Sequence, residues 1–149
     1  VLNHQHEDIS DHRFEQRGLL HVEVQAHRCT VHVVVVHLGL IKASRVRQLV
    51  QLKRYIAREI PANMPLVIAG DFNDWGHLVH ESLGAAGLQP CTQEAVATFP
   101  SRLPLGQLDH IFVRGLIPRR VHVPRGGQWG RMSDHLPLIA EFDLSPGVD

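Results

Sequence analysis

The 149-residue sequence is 44% hydrophobic and carries 15 Lys plus Arg against 15 Asp plus Glu, for a formal net charge of zero. That is enough apolar material for one packed domain, with no basic surplus of the kind that by itself marks a nucleic-acid binder. Two cysteines, Cys29 and Cys91, lie far apart without CxxC spacing, which argues against a zinc ribbon or a disulfide framework and reads as reduced thiols.

Val1 to His12 is a polar, histidine-rich lead-in unlike a signal peptide, and no apolar run approaches the roughly 20 residues needed to span a bilayer. The expected setting is cytoplasmic. Next, GLLHVEVQA at 18–26 and TVHVVVVHL at 30–38 have the β-branched, partly alternating pattern of strands, with His27 and Arg28 as a tight connection. The second is apolar enough to be buried on both faces. From Ser44, the residues Val46, Leu49, Val50, Ile56 and Ile60 recur at helical steps, with Arg45, Arg47, Lys53, Arg54 and Arg58 on the other side. The pattern predicts an amphipathic helix capped at Ser44 and ended before Pro61.

LVIA at 66–69 reads as a buried strand that runs into Gly70, Asp71, Phe72 and Asn73. A short helix around 79–86 and a proline-rich loop follow. LDHIFV at 108–113, then 119–123 and PLIAEFDL at 137–144, read as three more strands, an order that suits a sheet covered by helices. There is no internal repeat.

Four stretches set acids, amides and histidines at strand ends or in adjacent loops: His37 in VHLGL, Asp71 and Asn73 in GDFND, Asp109 in LDHIF, and Asp134 with His135 in SDHLPL. Taken singly each is ordinary, because a histidine at a strand end is more often structural and an Asp two before an Asn commonly makes a turn. Together they supply what phosphate-ester hydrolysis needs: carboxylates for a cation, a base for water, and donors for the phosphoryl oxygens. No serine or cysteine nucleophile motif and no GxxxxGK loop accompany them, which disfavours covalent catalysis and nucleoside triphosphate turnover.

GDFN after an apolar strand, LDHIF on a later strand and SDHLPL near the C-terminus occur in the order used by the endonuclease/exonuclease/phosphatase superfamily, the family of DNase I, which this sequence resembles. Arg17 with Gly18, HLGL, and TFPSRLPLGQLDHIFV at 98–113 extend the resemblance over nearly the whole chain, and in detail it looks most like a bacterial branch. The resemblance implies an α+β fold, the DNase I-like four-layer α/β sandwich of two packed β-sheets with outer helices. Residues 1–149 would form about one half of it, the C-terminal portion of a single domain. It implies a Mg2+- or Mn2+-dependent phosphoesterase whose phosphate-ester substrate is drawn from nucleic acid, phospholipid or inositol-phosphate headgroups.

By the same resemblance, Asp71 orients and deprotonates the attacking water, and Asn73 holds that water or a phosphate oxygen. His135 donates to the phosphoryl oxygen, Asp109 pairs with His135, and Asp134 with Asp71 approaches the metal. His37 faces the phosphate, and Arg17 is a candidate phosphate contact. Two departures stand out. Val35 and Val36 replace the Asn-Thr often found before the histidine of HLGL, and the family's metal-binding glutamate has no match, Glu7 and Glu15 being poor substitutes.

Two other classes compete. One is a non-catalytic binding module on the same fold, lacking the metal-ligand glutamate. The other is a zinc-binding histidine-rich protein, which suits the 12 histidines but not their scattered spacing. Trp75 and Trp129 read as packing residues before cleft residues. An apolar strand such as 30–36 in half a domain also predicts self-association of the isolated chain.

Overall fold

The computed structural model describes residues 1–145. Its elements are strands β1 (Asn3–Asp8), β2 (Gly18–Ala26) and β3 (Cys29–His37), helix α1 (Lys42–Glu59), strand β4 (Leu66–Asp71), helix α2 (Leu78–Gly84), strands β5 (Gln89–Pro90), β6 (Asp109–Arg114) and β7 (Leu116–His122), helix α3 (Trp129–Met132) and strand β8 (Ile139–Leu144). Six strands form a mixed sheet in the order β1-β2-β3-β4-β6-β5, and β7 with β8 forms a separate hairpin. The only parallel neighbours among these pairs are β3 and β4, joined by the α1 crossover, as parallel strands require. Among the described residues, no helix is long and apolar enough to cross a membrane.

Period-two alternation along the strands separates two cores. On one face, Leu19, Val34, Val36 and Ile68 pack against Leu49, Leu52, Tyr55 and Ile56 of α1 and Val79 and Leu83 of α2. Fully burying such a side chain stabilises by roughly 1.5–3 kcal/mol, so this face dominates the cohesion of the chain. On the other face, Val31, Val67 and Val113 meet Leu116, Val121, Phe142 and Leu144 of the hairpin. The α+β sandwich architecture holds: one sheet with its covering helices, and two strands of a second layer.

Three local expectations are corrected. The polar lead-in is an edge strand, with Asn3 through Asp8 in register with Glu23 through Gly18. Its side chains are mostly exposed, so no apolar alternation announces it, and its polarity suits a sheet edge. Ser44 does not cap α1: the helix starts at Lys42 with Ile41 at the cap position, and the Ser44 hydroxyl donates to Asp11 Oδ2 at 2.7 Å. Arg45 is buried instead of solvated, donating from Nη1 to the carbonyls of Leu40 at 2.6 Å and Gly39 at 3.2 Å.

Those contacts fix the loop after β3. Gln48 Oε1 accepts from Gly39 N at 2.8 Å, and Glu15 Oε1 accepts from Leu40 N at 3.3 Å. The HLGL turn is thereby tied to α1 on one side and to the β1–β2 connection on the other. Cys29 and Cys91 are both buried free thiols, as their spacing predicts.

Candidate active site

Sheet register puts three sequence-distant side chains in one row. His37, the last residue of β3, pairs with Asp71, the last residue of β4, and Asp71 pairs with Asp109, the first residue of β6. Directly opposed residues project to the same face, so the row lies at one end of the sheet on the face away from α1. His37 Nε2 is 3.4 Å from Asp71 Oδ2.

The chain reaches this row through a tight approach at Gly70. Its φ is 150°, and a Cβ there would stand 1.8 Å from the Val36 carbonyl oxygen, so only glycine lets β4 come this close to β3. Past the strand end Asn73 adopts a left-handed φ of 49°, which Asn tolerates better than most residues. Its backbone N–H donates to Asp71 Oδ1 at 2.9 Å, and its Nδ2 donates to the Leu38 carbonyl at 2.8 Å. Asn73 is thus buried and oriented by the HLGL turn.

His135 closes the site from the C-terminal side. Its Nδ1 donates to Asp109 Oδ2 at 2.7 Å, leaving Nε2 3.7 Å from Asp71 Oδ2. Burial opposes the charged imidazolium, but the hydrogen bond to Asp109 and the charges of Asp109, Asp71 and Asp134 outweigh it, so His135 titrates above the ordinary histidine value.

The segment 98–101, quoted in the sequence only as part of a motif, positions both halves. Buried Thr98 accepts through Oγ1 from the N–H groups of Leu108 and Asp109, at 3.3 and 3.4 Å, and its carbonyl accepts from Leu136 N at 2.7 Å. Ser101 N donates to the Asp134 carbonyl at 2.7 Å, and Ser101 Oγ donates to the Ser133 carbonyl at 2.7 Å. Phe99 lies 4.8 Å from His135 ring to ring, and Trp75 meets Phe99 edge-on at 6.1 Å. Trp75 itself is 66% exposed, so it rims the site instead of filling the core. Thr98, Ser101 and Phe99 carry no signal in the sequence, because nothing in their residue types distinguishes clamp from ordinary loop.

The other expected residues stand further out. The Asp134 carboxylate is exposed, with Ser133 Oγ at 3.3 Å from Oδ1. Arg17 pairs with Glu15 at 2.9 Å and lines an open groove of about 660 Å³ that also includes His6, Leu20, Val35 and His37. Glu7 pairs with Arg58 at 3.2 Å, so both upstream glutamates already have partners elsewhere. Asp71, Asp109 and His135 offer ligand atoms within 4.8 Å of one another, a grouping that a cation could use and that does not include Asp134.

Comparison with known proteins bears on the family and the fold. The sequence profile of the Endonuclease/Exonuclease/phosphatase family matches residues 3–135. The uncharacterized protein YbhP of Escherichia coli K12 is 34% identical over 151 residues, covering 97% of this chain and 59% of YbhP, so the chain spans less than two thirds of that relative. A conserved protein of unknown function from Enterococcus faecalis V583 superposes with a TM-score of 0.80 at 23% identity, over 97% of this chain and 67% of that one. A mannosyl-6-phosphatase from Bacteroides thetaiotaomicron superposes with a TM-score of 0.79 at 17% identity, with the same coverage. At such identities the superpositions speak for the fold alone, and the profile match over most of the sequence speaks for descent: the chain belongs to the Endonuclease/Exonuclease/phosphatase family.

Proposed function

We propose that the protein is a divalent-metal-dependent phosphoesterase that hydrolyses a phosphate ester with an activated water, and that residues 1–149 are the C-terminal portion of its single catalytic domain. The observation that carries this reading is the His37–Asp71–Asp109 row with His135 Nε2 3.7 Å from Asp71, hydrogen-bonded from behind by Asp109. Phosphoesterase chemistry is what the family profile supports at its coarser level.

Asp71 is the base. Its Oδ1 is held by the Asn73 N–H, which leaves Oδ2 between the two histidines to take a proton from water. Asn73 gives one amide N–H to the Leu38 carbonyl, which leaves its second N–H and its oxygen to hold the water or a phosphate oxygen. His135, whose charged form the hydrogen bond to Asp109 favours, donates through Nε2 to a phosphoryl oxygen, where charge grows in the transition state. His37 donates from the opposite side, and Arg17 extends the anion-binding surface along the groove.

Asp71, which shares a ligand grouping with Asp109, would hold the Mg2+ or Mn2+ ion, and Asp134, exposed beside His135, would join it only by turning inward; carboxylate oxygens suit a hard cation keeping several waters. Bound there, the ion would neutralise negative charge on the phosphoryl group. Glu15 and Glu7 are committed to Arg17 and Arg58, which leaves neither free to serve as a further ligand. This favours a site completed by residues beyond these 149. The substrate is a phosphate ester of nucleic acid, phospholipid or inositol-phosphate type. Hydrolysis of p-nitrophenyl phosphate and bis-p-nitrophenyl phosphate by the full-length protein, with and without magnesium, tests the reading: metal-dependent release from either ester supports it, and release from neither overturns it.

A further inference from the structure

Two buried histidines on the opposite face of the sheet have no part in this chemistry. His21 of β2 and His32 of β3 are 2% and 6% exposed, and His21 Nε2 lies 2.9 Å from His32 Nδ1. Glu23 stands directly opposite His32 in the β2–β3 register and two residues from His21, so all three project to the α1 side. Their ligand atoms lie within 4.8 Å of one another. We propose that His21, Glu23 and His32 form a zinc site that braces the β2–β3 pair against α1, separate from the phosphoesterase row.

The geometry fits a tetrahedral ion. Two nitrogens each about 2.0–2.1 Å from zinc stand about 3.4 Å apart, so the histidine pair needs to open by only about half an ångström. Two imidazoles and one carboxylate are a donor set that zinc prefers to magnesium, with water in the fourth position. Glu23 is half-buried and marks the entry path.

The orienting shell is already built. His21 Nδ1 is 3.0 Å from the Tyr55 hydroxyl, and Tyr55 donates to Gln5 Oε1 at 3.2 Å. With Tyr55 donating onward, its oxygen accepts from His21 Nδ1–H, which fixes the tautomer that leaves Nε2 bare for metal. His32 needs only to carry its proton on Nε2, so no net proton is released. Burial lowers the titration of both rings, Glu23 and Glu59 opposing this at His21, and His21 and Arg114 reinforcing it at His32, so both are neutral ligands at neutral pH. The 11-residue separation of His21 and His32 crosses a hairpin, which is why no zinc spacing is visible in the sequence.

Cobalt(II) titration of the full-length protein, read by visible absorption and reversed with zinc, tests the proposal. One equivalent with the intense bands of a four-coordinate site is expected, retained in Asp71→Asn and weakened more than about ten-fold in Glu23→Gln, whose fold is checked by circular dichroism. In the parent chain zinc should also raise the thermal midpoint, and EDTA should reverse the rise, a readout that needs no variant. Absence of four-coordinate cobalt, loss of binding in Asp71→Asn, or unchanged affinity in folded Glu23→Gln would overturn it and leave the pair as a hydrogen bond only.

Discussion

Asp109 and His135 are 26 residues apart and meet at 2.7 Å, the carboxylate at the start of β6 accepting from the imidazole in the loop before β8. This contact sets the charge of the group proposed to face the phosphoryl oxygen. His135 titrates above its ordinary value, so the donor form persists as pH rises and is lost through the raised value. Asp109→Asn in the full-length protein should therefore move the alkaline limb of the rate profile to lower pH. An unmoved limb would separate His135 from catalysis. The same pair contributes stability that is fully present below about 6.5 and lost as pH passes through the raised value.

Gly70 carries the approach of β4 to β3. Gly70→Ala should destabilise the fold by about 3 kcal/mol or more, read as a lower urea midpoint, because the new methyl would meet the Val36 carbonyl and no side-chain rotation relieves it. Gly84→Ala, with nothing within 4 Å of the added carbon, is the matched control and should leave the midpoint nearly unchanged or raise it.

His110 predicts acid sensitivity. It is 5% exposed, and burial, with the neighbouring His80, lowers its titration to about 4, against the opposing charge of Asp74 and a hydrogen bond to the Gln107 backbone. The unfolded chain therefore binds the extra proton first. Stability should fall as pH drops from about 6.5 and level off near 4, by on the order of 3 kcal/mol. His110→Phe should flatten this dependence in chemical denaturation; an equally steep profile would assign it to His21, His32 or His80.

The open side of the sheet predicts the behaviour of the isolated chain. Val35 is 43% exposed, and Val24, Val31 and Val33 line an apolar groove of about 670 Å³ beside the hairpin. Light scattering should show self-association that weakens on Val35→Lys. A monomer at all accessible concentrations would contradict this.

The legible parts of the fold were those with a strong period. The alternation of β2 and β3 and the apolar steps of α1 need only local pattern, and GDFN could be placed at a strand end because LVIA precedes it. β1 was illegible because its pairing, and not its own hydrophobicity, makes it a strand. The burial of Arg45 is illegible because a helix pattern cannot show that two loop carbonyls wait beside it. Within the site, residue types identified Asp71, Asp109 and His135 as candidates, whereas the row itself depends on register across three strands. The Thr98 and Ser101 clamp works through backbone groups and leaves no compositional trace.

Asp71 and His135 are proposed to act together on a phosphate ester. Asp71→Asn keeps the oxygen that receives the Asn73 N–H and removes the base, so it should leave the unfolding midpoint nearly unchanged while lowering turnover by about 10² to 10⁴. The most direct measurement is magnesium-dependent hydrolysis by the full-length protein, its Asp71→Asn variant and its His135→Ala variant, assayed side by side at neutral pH. Metal-dependent turnover in the parent and a loss of at least about 100-fold in each folded variant are expected. Turnover in the parent that survives both substitutions would contradict it.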